Sequence, residues 1–114
     1  MDEKKLRAAG IDYDAALARF VGKRDIYERY LTKFLDDVHE QEAEEAFKRQ
    51  DYQEMLEQTH ALKGLAGTLG LTELYEISAE IVKDLRDEKI EDLDVKMIQM
   101  KAEWECIRDA IQNA

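Results

Sequence analysis

Proline is absent from this chain and glycine occurs only 5 times. A sheet protein turns often and marks its turns with these residues, so their scarcity speaks against a sandwich or barrel. No segment shows the strict apolar/polar alternation of a half-buried strand either. The single cysteine, Cys106, excludes an intramolecular disulfide and fits a reducing compartment. No apolar run approaches the roughly 18–20 residues needed to cross a bilayer. The opening MDEKKLRAAG lacks the apolar stretch of a secretory signal, and a cytoplasmic protein is the expectation. Positive charge is also scarce: 17 Lys and Arg stand against 27 Asp and Glu, a formal net charge of −10. That balance argues against nucleic acid as a partner and against an anionic membrane surface.

What is present suffices for one domain spanning residues 1–114, with 45% hydrophobic residues for a core and 39% charged residues for a soluble surface. The pattern reads as helices separated by short breaks, without linker or repeat. Asp12 is placed to cap a first short helix carrying Tyr13, Ala16, Leu17 and Phe20, which Gly22 interrupts. Asp25 and Glu28 have the spacing of a capping box for a long helix with Ile26, Tyr27, Tyr30, Leu31, Phe34 and Val38 as its stripe, a pattern that continues toward Phe47. Asp51 and Glu54 open the next helix, which carries Met55, Leu62, Leu65 and Leu69 and stops at Gly70. Thr72 is placed to cap a helix bearing Leu74, Ile77, Ile81 and Leu85. The last helix keeps Leu93, Met97, Met100, Trp104, Ile107 and Ile111 in register over five turns. The predicted fold is all-α: an antiparallel up-down four-helix bundle with a short additional N-terminal helix.

Chemistry concentrates in Thr59-His60-Ala61-Leu62-Lys63-Gly64-Leu65-Ala66-Gly67-Thr68-Leu69-Gly70. With His60 at zero on a helical wheel, Leu62, Leu65 and Leu69 fall at about 200°, 140° and 180°. Leucines face the core, so His60 faces solvent. Gly64 and Gly67 lie within about 40° of His60. Glycine inside a helix costs about 1 kcal/mol relative to alanine, and two of them beside an exposed imidazole leave the ring clear for another protein to approach. Lys63 sits one turn along and about 60° to the side. Leu56, a turn before His60, is expected on the exposed side as an apolar docking contact, with Gly67 on the same docking face. A neutral imidazole is nucleophilic at physiological pH and can form a phosphoramidate, dividing one transfer into two. A nearby ammonium offsets charge on phosphoryl oxygens, and positioning plus electrostatics is most of what phosphoryl transfer asks of a protein.

His60, Lys63, Gly64, Leu69 and Gly70 together form His-x-x-Lys-Gly-x-x-x-x-Leu-Gly, which resembles the signature of the histidine-containing phosphotransfer (HPt) domain family. The resemblance extends over nearly the whole chain in the number, order and length of its helices. It implies that His60 is the phosphoacceptor through Nε2, that Lys63 assists and that Gly64 gives access. It implies a carrier rather than a turnover enzyme, with no cofactor and no metal of its own. The partners it implies are response-regulator receiver domains, which bring Mg²⁺, and a hybrid sensor histidine kinase; a monomer is expected. Members often carry Gln or Glu 22 residues after the histidine to hydrogen-bond the imidazole or its surroundings, and Val82 stands there in this chain. Two other readings are a helical adaptor that docks without accepting phosphate, and the phosphorylated domain of a chemotaxis-type kinase.

Other candidates are weaker. His39 lies in a polar run with no second histidine four residues away, so it reads as surface rather than metal ligand. Cys106 has no basic neighbour to activate it and is expected as a buried or half-buried structural thiol. The cluster Glu42–Glu45 reads as a solvated helix face.

Overall fold

The computed structural model describes every residue, Met1–Ala114, and all of its regular structure is helical. Seven helices follow one another: α1 Glu3–Ala8, α2 Tyr13–Arg19, α3 Arg24–Phe34, α4 His39–Lys48, α5 Tyr52–Leu69, α6 Thr72–Arg86 and α7 Leu93–Gln112. Helices α4, α5, α6 and α7 form the bundle, each packed on the next, with α7 closing the ring onto α4. The connections 49–51, 70–71 and 87–92 are too short to return along the bundle, so sequential neighbours run antiparallel, as expected. Helix α3 packs on α5 and α7, while α2 meets α3 and α5, and α1 meets α2 and α7. One cluster of 21 buried residues joins side chains from all seven helices, so the N-terminal helices share the bundle's core.

The structure corrects several local expectations. Three helices, not one, precede the bundle: the short α1 and α2, and the 11-residue α3. The long helix opening near Asp25 does not continue to Phe47: it ends at Phe34, and α4 begins anew at His39. Asp37 accounts for the break, because its carboxylate accepts from the His39 backbone N–H at 3.2 Å and meets His39 Nδ1 at 2.7 Å. Short acidic side chains compete in this way with the helix's own hydrogen bonds. Val38 and Tyr30, assigned to the apolar stripe, are exposed. Asp25 lies inside the first turn of α3 rather than at its cap, which is Lys23. Glu28 does not close a capping box; it accepts from the Tyr13 hydroxyl at 2.8 Å and meets the N-terminal amine at 3.4 Å. Thr72 is the first residue of α6, and Leu71 caps it without a side-chain bond. Asp12 and Asp51 do cap, accepting from Ala15 N at 3.2 Å and Glu54 N at 3.1 Å.

The end of α5 leaves no room for a side chain. Gly70 adopts φ +77°, the left-handed conformation that ends helices. A Cβ there would stand 2.5 Å from the Asp12 carbonyl oxygen, so the position needs glycine for space as well as for conformation. The gap is kept narrow by a bond from Asp12 N to Gly70 O at 2.8 Å and an isolated bridge between Ile11 and Leu71. Behind it, the buried Tyr27 hydroxyl donates to the Leu69 carbonyl at 2.8 Å, satisfying an acceptor that the helix end would leave unpaired. The first 28 residues thereby hold the C-terminal end of α5.

A polar cleft opens between α4 and α7. In it Glu40 is buried, with one carboxylate oxygen lacking any partner. Burial, aided by the negative charges of Glu44 and Glu105 and opposed by Lys101 and Lys48, pushes its carboxyl up to about 7.

Two expected outcomes follow. Gly70→Ala combines left-handed strain with a backbone clash and should cost about 2–4 kcal/mol in urea unfolding; unchanged stability would show that Asp12 can withdraw freely. Glu40 binds its proton more tightly folded than unfolded, so its contribution is fully present below about pH 4.5 and is lost as pH rises through about 7. Glu40→Gln should therefore match wild type near pH 4.5 and exceed it by about 1–3 kcal/mol at pH 8. Parallel stability–pH curves for the two proteins would refute this.

Candidate functional site

Helix α5 owes its extent to Asp51 at one end and Gly70 at the other, and its rotation to the residues it buries. Those are Met55, Thr59, Leu62, Ala66 and Leu69, spaced four, three, four and three apart. With His60 at zero, they centre at about 220°. The buried face is therefore turned by some tens of degrees from the one the leucines alone would define. Thr59 and Ala66 replace Leu65 at its heart, and Leu65 is only half-buried. Small residues are favoured there because α5 is packed between α4 and α6.

This rotation orders every residue on the opposite side. His60 is exposed, as expected. Gly64, at about 40°, points directly away from the buried face. A Cβ added to it would meet nothing within 4 Å, so nothing inside the chain requires glycine at that position. Leu56, Lys63 and Gly67 fall at about 320°, 300° and 340°, the flank that faces α6, and all three are half-buried. Leu56 is thus half-buried rather than fully exposed, and lies in an open groove with Tyr52, Leu85 and Ile90. Gly67 is not open. A Cβ there would come within 3.2 Å of Cδ2 and 3.3 Å of Cε2 of Tyr75 on α6. The Lys63 ammonium lies 5.9 Å from the centroid of the same ring. Arg19 of α2 donates to the Gly67 carbonyl at 2.8 Å and to that of Thr68 at 3.4 Å, approaching the site from the N-terminal helices.

His60 and Gly64 are therefore exposed on one segment of α5, with Lys63 half-buried beside them. Tyr75 and Arg19 beside them were not identified from the sequence. Tyr75 follows Leu74 of the buried stripe by one residue, and only the packing of α6 on α5 reveals its place. Val82 is buried and brings no polar atom toward the imidazole. His39 is half-buried and tied to Asp37. Cys106 is exposed, contrary to expectation, because it precedes buried Ile107 by one residue and is turned about 100° away from it.

Comparison with known proteins gives the arrangement its family. The sequence profile of the Hpt domain matches residues 29–114. Two solved structures share the fold with TM-scores of 0.82. One is the HPT domain of a sensor hybrid histidine kinase from Shewanella, 20% identical, with 92% of each chain covered. The other is histidine-containing phosphotransfer protein B from Pseudomonas aeruginosa PAO1, 19% identical, covering 91% of this chain and 92% of that one. No curated protein matches the sequence. The chain belongs to the Hpt domain family, the phosphocarrier modules of two-component relays, and its role is histidine phosphotransfer. Members partner with receiver domains. No helix here is long and apolar enough to cross a membrane.

The open space at Gly64 has a measurable consequence. Gly64→Ala should raise stability by about 0.5–1 kcal/mol, since helix propensity improves and nothing is displaced. A loss in thermal or urea unfolding would show that the position is constrained from within.

Proposed function

We propose that residues 1–114 act as one phosphocarrier unit in which His60 is the phosphoacceptor. The observation that carries this reading is an exposed imidazole one turn from a glycine whose own fold does not need it. Nε2 attacks phosphorus of a receiver aspartyl phosphate, a P–N bond forms, and the P–O bond breaks with its electron pair going to the aspartate carboxylate. The proton on Nδ1 is free to leave to water. Transfer to a second receiver reverses these steps, so the chain is donor and acceptor in turn rather than a turnover catalyst. Lys63 balances charge on the phosphoryl oxygens, and Gly64 lets the partner's surface approach the ring. The upstream partner is a receiver of a hybrid sensor kinase, and the module acts as a monomer in the cytoplasm.

The test is incubation of the full chain with a panel of receiver domains phosphorylated by phosphoramidate and Mg²⁺, followed by mapping of acid-labile phosphate. His60→Gln should abolish acceptance while shifting stability by less than about 0.5 kcal/mol. Phosphate retained by that variant would refute the assignment. Gly64→Leu should fold and fail to transfer; normal transfer would mean that the partner does not approach across this face. Lys63→Ala should slow transfer in both directions without greatly changing receiver affinity. The loss should fall between the roughly 1 kcal/mol of an exposed charge and the roughly 3–4 kcal/mol of a contact to developing charge in a dry site. Collapsed affinity with an unchanged rate in the complex would make Lys63 a docking residue.

A further inference from the structure

The site leaves two facts unexplained: why a second glycine, Gly67, stands on the flank of α5, and what restrains a flexible lysine that follows His60 by one helical turn. Both meet at Tyr75. Its ring occupies the space a Cβ on Gly67 would need, 3.2 Å from Cδ2. It remains 40% exposed, with its hydroxyl free of any hydrogen bond within the chain. The Lys63 ammonium lies over the ring, 5.9 Å from its centroid. Lys63 forms no salt bridge, although the chain has 27 carboxylate side chains.

The difference between these two kinds of partner matters. A carboxylate would orient the ammonium but cancel the charge that phosphoryl oxygens require. An aromatic face attracts a cation through its quadrupole and leaves the net charge intact. Lysine also has a long, freely rotating stem, so an ammonium already restrained on this flank of α5 loses less entropy when the phosphoryl group arrives.

We propose that Tyr75 is a positioning residue that holds the Lys63 ammonium on the His60 side of α5 without neutralising it, and that Gly67 is glycine so that the ring can lie there. This rests on the phosphoryl-stabilising reading of Lys63. It separates the two glycines that follow His60 within α5: Gly64 serves the incoming partner and Gly67 serves Tyr75.

The experiment compares the wild-type chain with Tyr75→Phe, Tyr75→Leu, Gly67→Ala, Lys63→Ala and the Lys63→Ala/Tyr75→Leu double variant. Three quantities are measured: the single-turnover rate of transfer from a phosphoramidate-phosphorylated receiver, the affinity for that receiver unphosphorylated, and the proton shift of the Lys63 ε-methylene. In wild type the ε-methylene should resonate upfield under the ring current. Phe should retain that shift and the rate, and Leu should lose both, with transfer about two- to fivefold slower, the ratio an exposed cation–π contact confers. Gly67→Ala, which forces the ring a few tenths of an ångström aside, should move both readouts the same way by less. In the Lys63→Ala background, Tyr75→Leu should add nothing. The proposal is overturned if Tyr75→Leu slows transfer equally without Lys63, or if it alters receiver affinity alone, which would make Tyr75 a docking contact. Slow Lys63→Ala beside fast Tyr75→Leu overturns this proposal only; Lys63→Ala at the wild-type rate overturns the reading of Lys63 and this proposal with it.

Discussion

Burial of Met55, Thr59, Leu62, Ala66 and Leu69 between α4 and α6 fixes how α5 is turned about its own axis, and the rest of the site is a consequence of that angle. Were α5 rotated by one residue's worth of arc, about 100°, either Gly64 or His60 would meet a neighbouring helix. Apolar burial is non-directional, but a row of side chains spaced four and three apart converts it into an orientation. The chemistry-bearing residues need no contacts of their own to be aimed correctly. This is why an exposed histidine can be held in place by residues on the far side of its helix.

The same helix must also be stopped. Its last turn carries no basic residue, so the negative end of its dipole has no local counter-charge. Arg19, contributed by α2, donates to two of the terminal carbonyls instead. Tyr27 of α3 takes a third, and Asp12 closes against Gly70. The matched family profile begins at residue 29, yet every one of these groups lies before it. In this chain the N-terminal helices supply the end-capping that the bundle helices do not supply for themselves.

Much of this was legible in the sequence, and the failures have physical causes. Helical periodicity, the Asp12 and Asp51 caps and the Gly70 stop were readable because each is a local rule. The exposure of His60 followed from the leucines opposite. The exact phase did not, because the large residues alone point some tens of degrees away from the buried face: Thr59 and Ala66 are buried by close helix approach, which composition does not reveal. A phase defined by the leucines alone puts Leu65 too deep and leaves Leu56 and Gly67 too open. The break at Asp37 was hidden because apolar spacing runs through it, and only the carboxylate's bonds to His39 show the helix ending. Tyr75 and Arg19 belong to other helices, and their roles depend on packing that no local pattern encodes.

The two ends of the chain meet. Asp2 N–H donates to the Ala114 carbonyl at 2.8 Å, and the Lys5 ammonium reaches the Asn113 carbonyl at 3.2 Å. The folded backbone is thus nearly a closed ring, although its covalent path is open. For such a chain the entropy of end-to-end closure is lost on folding without any covalent bond to show for it. A short peptide link across that gap would remove conformations from the unfolded ensemble alone and leave α5 as it is. The same geometry suits the molecule to grafting into a surface loop of another protein, since the host would need to open by little more than the width of a strand pair.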